Sequence, residues 1–375
     1  MKRDTLNTLM KIIAVVGLLY LFLLSIGLMG SAFKGFGKGF AEQLISTTSN
    51  PFVGLFIGIF ATSIIQSSST TTSMVVGMVG GGVLTVGNAI PIVMGANIGT
   101  TVTNLLVSLG HITRREEFRR AVAGASVHDF FNLICVAIMF PLELATGFLH
   151  KSATFLSTLF SNAGGFKFTS PLKYATKPVV KFIKTIVLDM LNDHHRAAYI
   201  VILIISVAVL FFSLYFIVKV MKSLIVKKVE NVLDNVIGKS GILAIIAGLI
   251  FTFLVQSSSI TTSLLIPLVA AGIMSVEAVF PITMGANIGT TTTAMLAAFA
   301  TGNPAAIIIA FVHFLFNTIG VVVIYPIGVF RRIPIALAKG LGELSFKKRR
   351  YAVAYVITLF FVVPALLILI SKLFK

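Results

Sequence analysis

Charge is scarce in this 375-residue chain: Asp, Glu, Lys and Arg together make up 11% of it. A soluble chain of ordinary composition carries about 25%, so a water-facing globular fold is excluded. Cysteine is scarcer still. The single Cys135 lies in an apolar run, which rules out an internal disulfide and reads as a small packing group. No metal-ligand cluster or nucleophile motif gathers the His, Ser and Asp side chains, which argues against an enzyme. Lys and Arg are absent from residues 40–112 and 241–330. The net charge of +18 therefore comes from segments between apolar runs, the topology signature of a membrane protein and not a nucleic-acid-binding face.

What the chain has in excess is apolar sequence, at 57%. Runs of 18 or more apolar residues recur, long enough to cross a hydrocarbon core of about 30 Å. The ten-residue alternating segments of a membrane β-barrel are missing. The expected fold class is an all-α polytopic membrane protein embedded in a lipid bilayer. The basic start and apolar run of residues 1–33 could pass for a signal peptide. That run, however, is about 20 residues long, and a 190-residue offset places it on Tyr199–Val220. It is expected as a retained first span.

That offset belongs to a repeat. QSSSTTTS at Gln66–Ser73 and PIVMGANIGTT at Pro91–Thr101 recur as QSSSITTS at Gln256–Ser263 and PITMGANIGTT at Pro281–Thr291. Over 66–104 against 256–294, 21 of 39 positions are identical. The shared residues are mostly Gln, Ser, Thr, Asn, Gly and Pro, not the apolar filler any two membrane segments share. A duplicated binding site inside the membrane follows.

The predicted organisation has four parts. Residues 1–140 form a first repeat: a span at Lys11–Met29, a re-entrant helical hairpin at 51–83 tipped by Gln66–Ser73, a broken span at 86–109 unwound at Gly95–Thr101, a charged loop at Ile112–Arg120, and a third span at 121–140. Residues 141–196 are a long linker. Within it Lys173, Lys177, Lys181 and Lys184 space an amphipathic helix over Leu172–Leu191, either interfacial or solvated. Residues 197–330 repeat the pattern: a span at 199–220, a basic connector at Lys222–Lys239, a hairpin at 241–271, a broken span at 276–300 and a span at 304–330. Residues 331–375 are a basic loop and an extra C-terminal span.

Each repeat thus holds three crossings, so the second copy enters the membrane inverted, an arrangement typical of secondary transporters. An N-terminus on the inner side puts 19 of the 30 Lys and Arg in inner segments, as the positive-inside rule favours.

A hairpin tip offers helix N-termini and Ser or Thr hydroxyls to an anion. Its Gln, Ser and Thr oxygens, with the unwound carbonyls of Gly95–Gly99 and Gly285–Gly289, are hard ligands suited to Na+. Hairpins and broken spans contain no Lys or Arg and one acid, Glu277, read with Glu143 as interfacial. An anion there depends on accompanying cations, which is coupling. Asp129 lies inside a span, where a carboxylate is costly and marks function: a cation ligand or gate, or else a structural partner of His128 or the loop arginines. His128 and His313, each four residues before Asn132 and Asn317, read as packing pieces on one helix face.

At these residues the chain resembles the type II sodium–phosphate cotransporter family. The paired QSSS motifs, the GANIGT segments and EFRRAVAGASVHDFFN (Glu117–Asn132) carry the resemblance, which covers both repeats. It implies Na+-driven symport of inorganic phosphate into the cell across the plasma membrane, by alternating access. Ser67, Ser68, Ser69, Ser257, Ser258 and Ser259 are then expected at phosphate, with Gln66, Gln256, Thr261, Asn97, Asn287, Asp129, Thr100 and Thr290 at Na+, the co-substrate. An aspartate at the position of Asp129 goes with electrogenic transport in such relatives. The C-terminal regulatory domain of many bacterial members has no counterpart before Lys375, nor does the linker hold the cysteines of animal members. Carriage of a dicarboxylate or sulfate, a passive anion channel, and a monomer or homodimer all stay open.

Overall fold

The computed structural model describes residues 2–163, 171–191, 195–236 and 240–373, and every element among them is helical. The first part of the chain gives α1 (Lys2–Gly35), α2 (Lys38–Thr47), α3 (Pro51–Ile65), α4 (Ser68–Gly81), α5 (Val86–Gly99), α6 (Val102–Ser108) and α7 (Arg115–Thr146). The expected linker holds α8 (Phe148–Ala163) and α9 (Pro171–Met190), followed by α10 (His195–Val236). Then come α11 (Gly241–Val255), α12 (Ser258–Ser263), α13 (Leu265–Ala270), α14 (Val276–Thr301), α15 (Pro304–Ile324), α16 (Gly328–Lys347), α17 (Arg350–Ile357) and α18 (Val363–Leu373).

Six described helices are long and apolar enough to cross a membrane, or seven if α2 and α3, bent by 96°, form one. The chain is an all-α polytopic membrane protein. Phe131, Phe280 and Phe316 are fully buried at its centre, in one apolar core shared by α1, α4, α5, α7, α14 and α15.

Four sequence expectations need correction. The spans at 86–109 and 276–300 are not unwound at their GANIG segments. The second is the uninterrupted α14, and the first departs from α-helix only at Thr100–Thr101, between α5 and α6. The glycines serve close packing instead. A Cβ on Gly95 would land on the Leu55 carbonyl oxygen of α3, and one on Gly285 on the Ile245 carbonyl oxygen of α11. Helix backbones touch there, so the amide groups stay in helical hydrogen bonds. Next, Arg115, Arg119 and Arg120 belong to the first turns of α7 and not to a loop. The amphipathic helix expected in the linker is α9, preceded by a second helix, α8, and Tyr20 of α1 donates to the Ala175 carbonyl oxygen of α9 at 3.3 Å.

The basic loop after residue 330 is the third. It is α16, because Pro334, Ala338, Leu341, Gly342 and Ser345 recur at helical spacing and bury one face, which packs against α7. The fourth is the connector expected over 222–239: residues up to Val236 continue α10, and the last three lie outside the described residues.

Candidate transport site

Both QSSS motifs fold the same way. Gln66 ends α3 with φ 57° and Gln256 ends α11 with φ 59°, the only non-glycine residues with left-handed backbone among those described. Each folds its amide back onto the preceding turn, Gln66 to Thr62 O and Gln256 to Thr252 O, both at 2.7 Å. The next residue then caps the following helix. The Ser67 hydroxyl oxygen accepts from Thr70 N at 3.2 Å, and that of Ser257 from Ile260 N at 3.3 Å. This is why the motif reads Gln-Ser: a turn residue, then a cap.

The two tips meet. Ser69 Oγ donates to the Gln256 carbonyl oxygen at 3.4 Å, and between them lies a cavity of about 220 Å³. Ser67, Ser69, Thr70, Gln256 and Ser257 line it with Ile65, and α10 closes it with Phe211, Leu214, Tyr215 and Val218. Ser68, Ser258 and Ser259 do not line it; the first two are buried, with their carbonyls bonded to Thr72 and Thr262. The second tip is held in place from α6, where Asn104 Oδ1 accepts from Thr262 at 2.9 Å and Ser263 at 3.1 Å. Gln256 is anchored by α14: Thr293 donates to its Oε1 at 2.8 Å. Thr261 bonds Thr252 Oγ1 at 2.6 Å.

Asp129 is fully buried on α7. Thr101 Oγ1 donates to its Oδ1 at 3.0 Å and the Tyr355 hydroxyl, from α17, to its Oδ2. Its link to the first tip is short: Thr103, two residues beyond Thr101, donates to the Gln66 carbonyl oxygen at 3.5 Å. Neither His128 nor a loop arginine bonds the Asp129 carboxylate among the described residues. Thr100 and Thr290 donate back to Ala96 and Ala286 carbonyls at 2.9 and 3.0 Å, within their own helices.

Asn97 and Asn287 lie in a separate polar network that crosses the two halves. His128 Nε2 pairs with Asn287 Oδ1 at 2.5 Å, while His313 Nε2 pairs with Asn97 Oδ1 at 3.3 Å. Asn132 joins both, donating to the Asn97 carbonyl oxygen at 2.9 Å and accepting from Asn287 Nδ2 at 2.7 Å. Asn317 adds a bond to Asn97 Oδ1 at 3.1 Å. The histidine of each copy thus holds the asparagine of the other.

Four participants escaped the sequence reading. Asn104 stands where the copies diverge, opposite Ala294, so the repeat hid it. Tyr355 lies outside the repeat, and Tyr215 sits in a largely apolar span outside the duplicated polar block. Thr101 was inside the duplicated block but resembled its helical neighbours.

The model of the Na+/Pi-cotransporter family matches residues 21–164 and 209–321 of this chain, more than half of it. The chain belongs to the Na+/Pi-cotransporter family. That is a family of cotransporters, not of enzymes. Sodium-dependent phosphate transport protein 2B of Homo sapiens is 37% identical over 443 residues, covering 94% of this chain and 64% of that protein. Sodium-dependent phosphate transport protein 2A of Rattus norvegicus is 36% identical over 433 residues, covering 97% and 68%. The chain therefore spans just under two thirds of the length of the 2B relative. No solved structure matches. Both tips, Asp129 and the His–Asn network fall within the matched segments, whereas Tyr355 falls outside them.

Proposed function

We propose that this protein is an electrogenic symporter that brings inorganic phosphate into the cell with Na+, across the plasma membrane, by alternating access. The observation that carries the reading is the contact of the two capped QSSS tips around a hydroxyl-lined cavity with no charged side chain in its wall. Oxyanions are held by such donors and helix N-termini, but a membrane-embedded site without Lys or Arg leaves their charge uncompensated. Cations entering with the anion offset it. The names of the 2A and 2B relatives support phosphate and sodium as the pair.

In this reading Ser67, Ser69 and Ser257 meet phosphate, while Gln66, Gln256, Thr261 and Asp129 hold Na+. Residues 1–140 and 197–330 act as inverted repeats, each with a re-entrant hairpin at its QSSS tip, and the N-terminus faces the cell interior. Asn97 and Asn287 tie the repeats together through the histidines.

Counter-flow uptake of labelled phosphate in proteoliposomes tests it. Uptake should require Na+, carry net positive charge inward, and resist competition by sulfate and succinate. Uptake that persists in choline would make the protein a passive channel, and efficient competition would make it a carrier of another oxyanion.

A further inference from the structure

The cavity between the tips has a third wall that neither motif supplies. α10 contributes Phe211, Leu214, Tyr215 and Val218, and Tyr215 brings the one polar side chain among them. Its hydroxyl makes no hydrogen bond to any described residue, and the side chain is 63% exposed. One helical turn on, the Lys219 ammonium lies 6.0 Å from the Tyr215 ring centroid and 5.7 Å from that of Phe216. It forms no ion pair among the described residues. A cation held on aromatic faces beside an uncharged, hydroxyl-lined cavity attracts an anion without filling the site itself.

The matching positions of α1, 190 residues earlier, differ in kind. Ser25 and Met29 stand there, both fully buried, with the Ser25 hydroxyl turned back to the Phe22 carbonyl oxygen at 2.6 Å. Met29 lies against Gly77 of α4. The α1 side is packed shut where the α10 side is open, so the phenol and ammonium are not products of the duplication.

The donor arithmetic also leaves room for a phenol. Ser67 Oγ already accepts from Thr70 N and from Thr70 Oγ1, at 3.2 and 2.9 Å, so its own proton is available to a ligand. Thr70 spends its proton on Ser67. Ser257 Oγ accepts from Ile260 N and keeps its proton too. Ser69 spends its proton on the Gln256 carbonyl oxygen, so the tips offer two free hydroxyl donors, and a tetrahedral oxyanion has more acceptor positions than these can meet.

We propose that Tyr215 completes the oxyanion site as a hydroxyl donor from α10, and that Lys219 supplies the positive charge at its mouth that both hairpins lack. The ligand class is a tetrahedral oxyanion, inorganic phosphate in the function proposed above, on which this inference rests. Tyr215 is a binding residue in this scheme, and Lys219 acts by steering.

Equilibrium binding of labelled inorganic phosphate to the purified full chain, in Na+ and in choline, tests it. Tyr215→Phe keeps the ring and removes the hydroxyl. It should weaken phosphate binding about tenfold, as loss of a hydrogen bond to a charged ligand does. The Na+ concentration for half-maximal binding and the thermal midpoint should not move. Lys219→Gln should weaken binding at low ionic strength and match the wild type at high salt, whereas Lys219→Arg should restore it. Phosphate affinity within twofold of wild type in Tyr215→Phe overturns the role of Tyr215. A parallel loss of Na+ affinity or thermal stability assigns that residue to packing and overturns it as well. Salt-independent behaviour of Lys219→Gln overturns the steering role. Wild-type protein that binds no phosphate in Na+ defeats the proposed function itself, and this inference with it.

Discussion

Tyr355 of α17 donates its hydroxyl to Oδ2 of Asp129 on α7, 226 residues away in the chain. Thr101 holds the other oxygen at 3.0 Å, so both carboxylate oxygens have protein donors. A Na+ ion at Asp129 would compete with the phenol proton for the electron density of that carboxylate. The Tyr355 ring is independently placed, tilted against Phe130 at 5.8 Å and edge-on to Phe360 at 6.3 Å. Tyr355→Phe should therefore fold normally and take up phosphate at lower Na+, by about tenfold or more, since a charge-assisted hydrogen bond is worth about 1.5–3 kcal/mol. A Na+ titration of uptake measures it. An unchanged half-saturation would make the contact purely structural.

Replacing the carboxylate itself tests the charge. Asp129→Asn keeps the shape and can still accept from Thr101, yet removes the negative charge. Net charge moved per phosphate should fall in current-to-flux measurements on proteoliposomes. An unchanged ratio would mean that Asp129 binds no transported cation.

The turn glutamines separate backbone from side chain. A non-glycine residue at φ near 57° carries strain of roughly 1–2 kcal/mol. Gln66→Gly should leave the thermal midpoint level or raised while cutting Na+-dependent uptake, and Gln66→Ile should lower both. Circular dichroism melts beside uptake assays distinguish these; wild-type uptake in Gln66→Gly would remove Gln66 from the cation site.

Close backbone contact makes its own prediction. Gly95→Ala and Gly285→Ala would each drive a methyl into a facing carbonyl oxygen, which helices cannot yield without separating. Overpacking typically costs about 1–3 kcal/mol, so both should melt earlier. Gly17→Ala meets nothing within 4 Å and should be neutral or stabilising. Equal melting of all three would contradict the packing.

The crossed His–Asn pairs should behave as couplings. His128→Ala leaves Asn287 Oδ1 buried without its donor, at about 1–3 kcal/mol. A double-mutant cycle with Asn287→Ala should show interaction energy of about 0.5–3 kcal/mol. Additive losses would mean that the bond does not link the halves.

Much of this was legible in the residues. The polar duplicated block stood out because Gln, Ser, Thr and Asn are expensive in hydrocarbon, so their recurrence at 190 residues pointed to a site. The Gly95 and Gly285 segments misled for a physical reason: glycine permits both an unwound backbone and a close helix contact, and only the neighbouring helix decides. In the same way, Ser68 and Ser258 cannot be told from Ser67 and Ser257 until the capping turn sets which hydroxyls face the cavity.

The sequence by itself determined that the chain is helical and membrane-embedded, because its charge and apolar runs admit no other solvent. It also determined that two equivalent polar tips exist, because duplication preserves residue order. Only the tertiary structure decided what those tips face. The Tyr215 wall and the Asn104 anchor come from positions where the two copies differ, and the Tyr355 hydroxyl on Asp129 from a segment outside the repeat. Contacts between residues more than 100 positions apart leave no periodicity or spacing behind, so they exist only once the helices have packed.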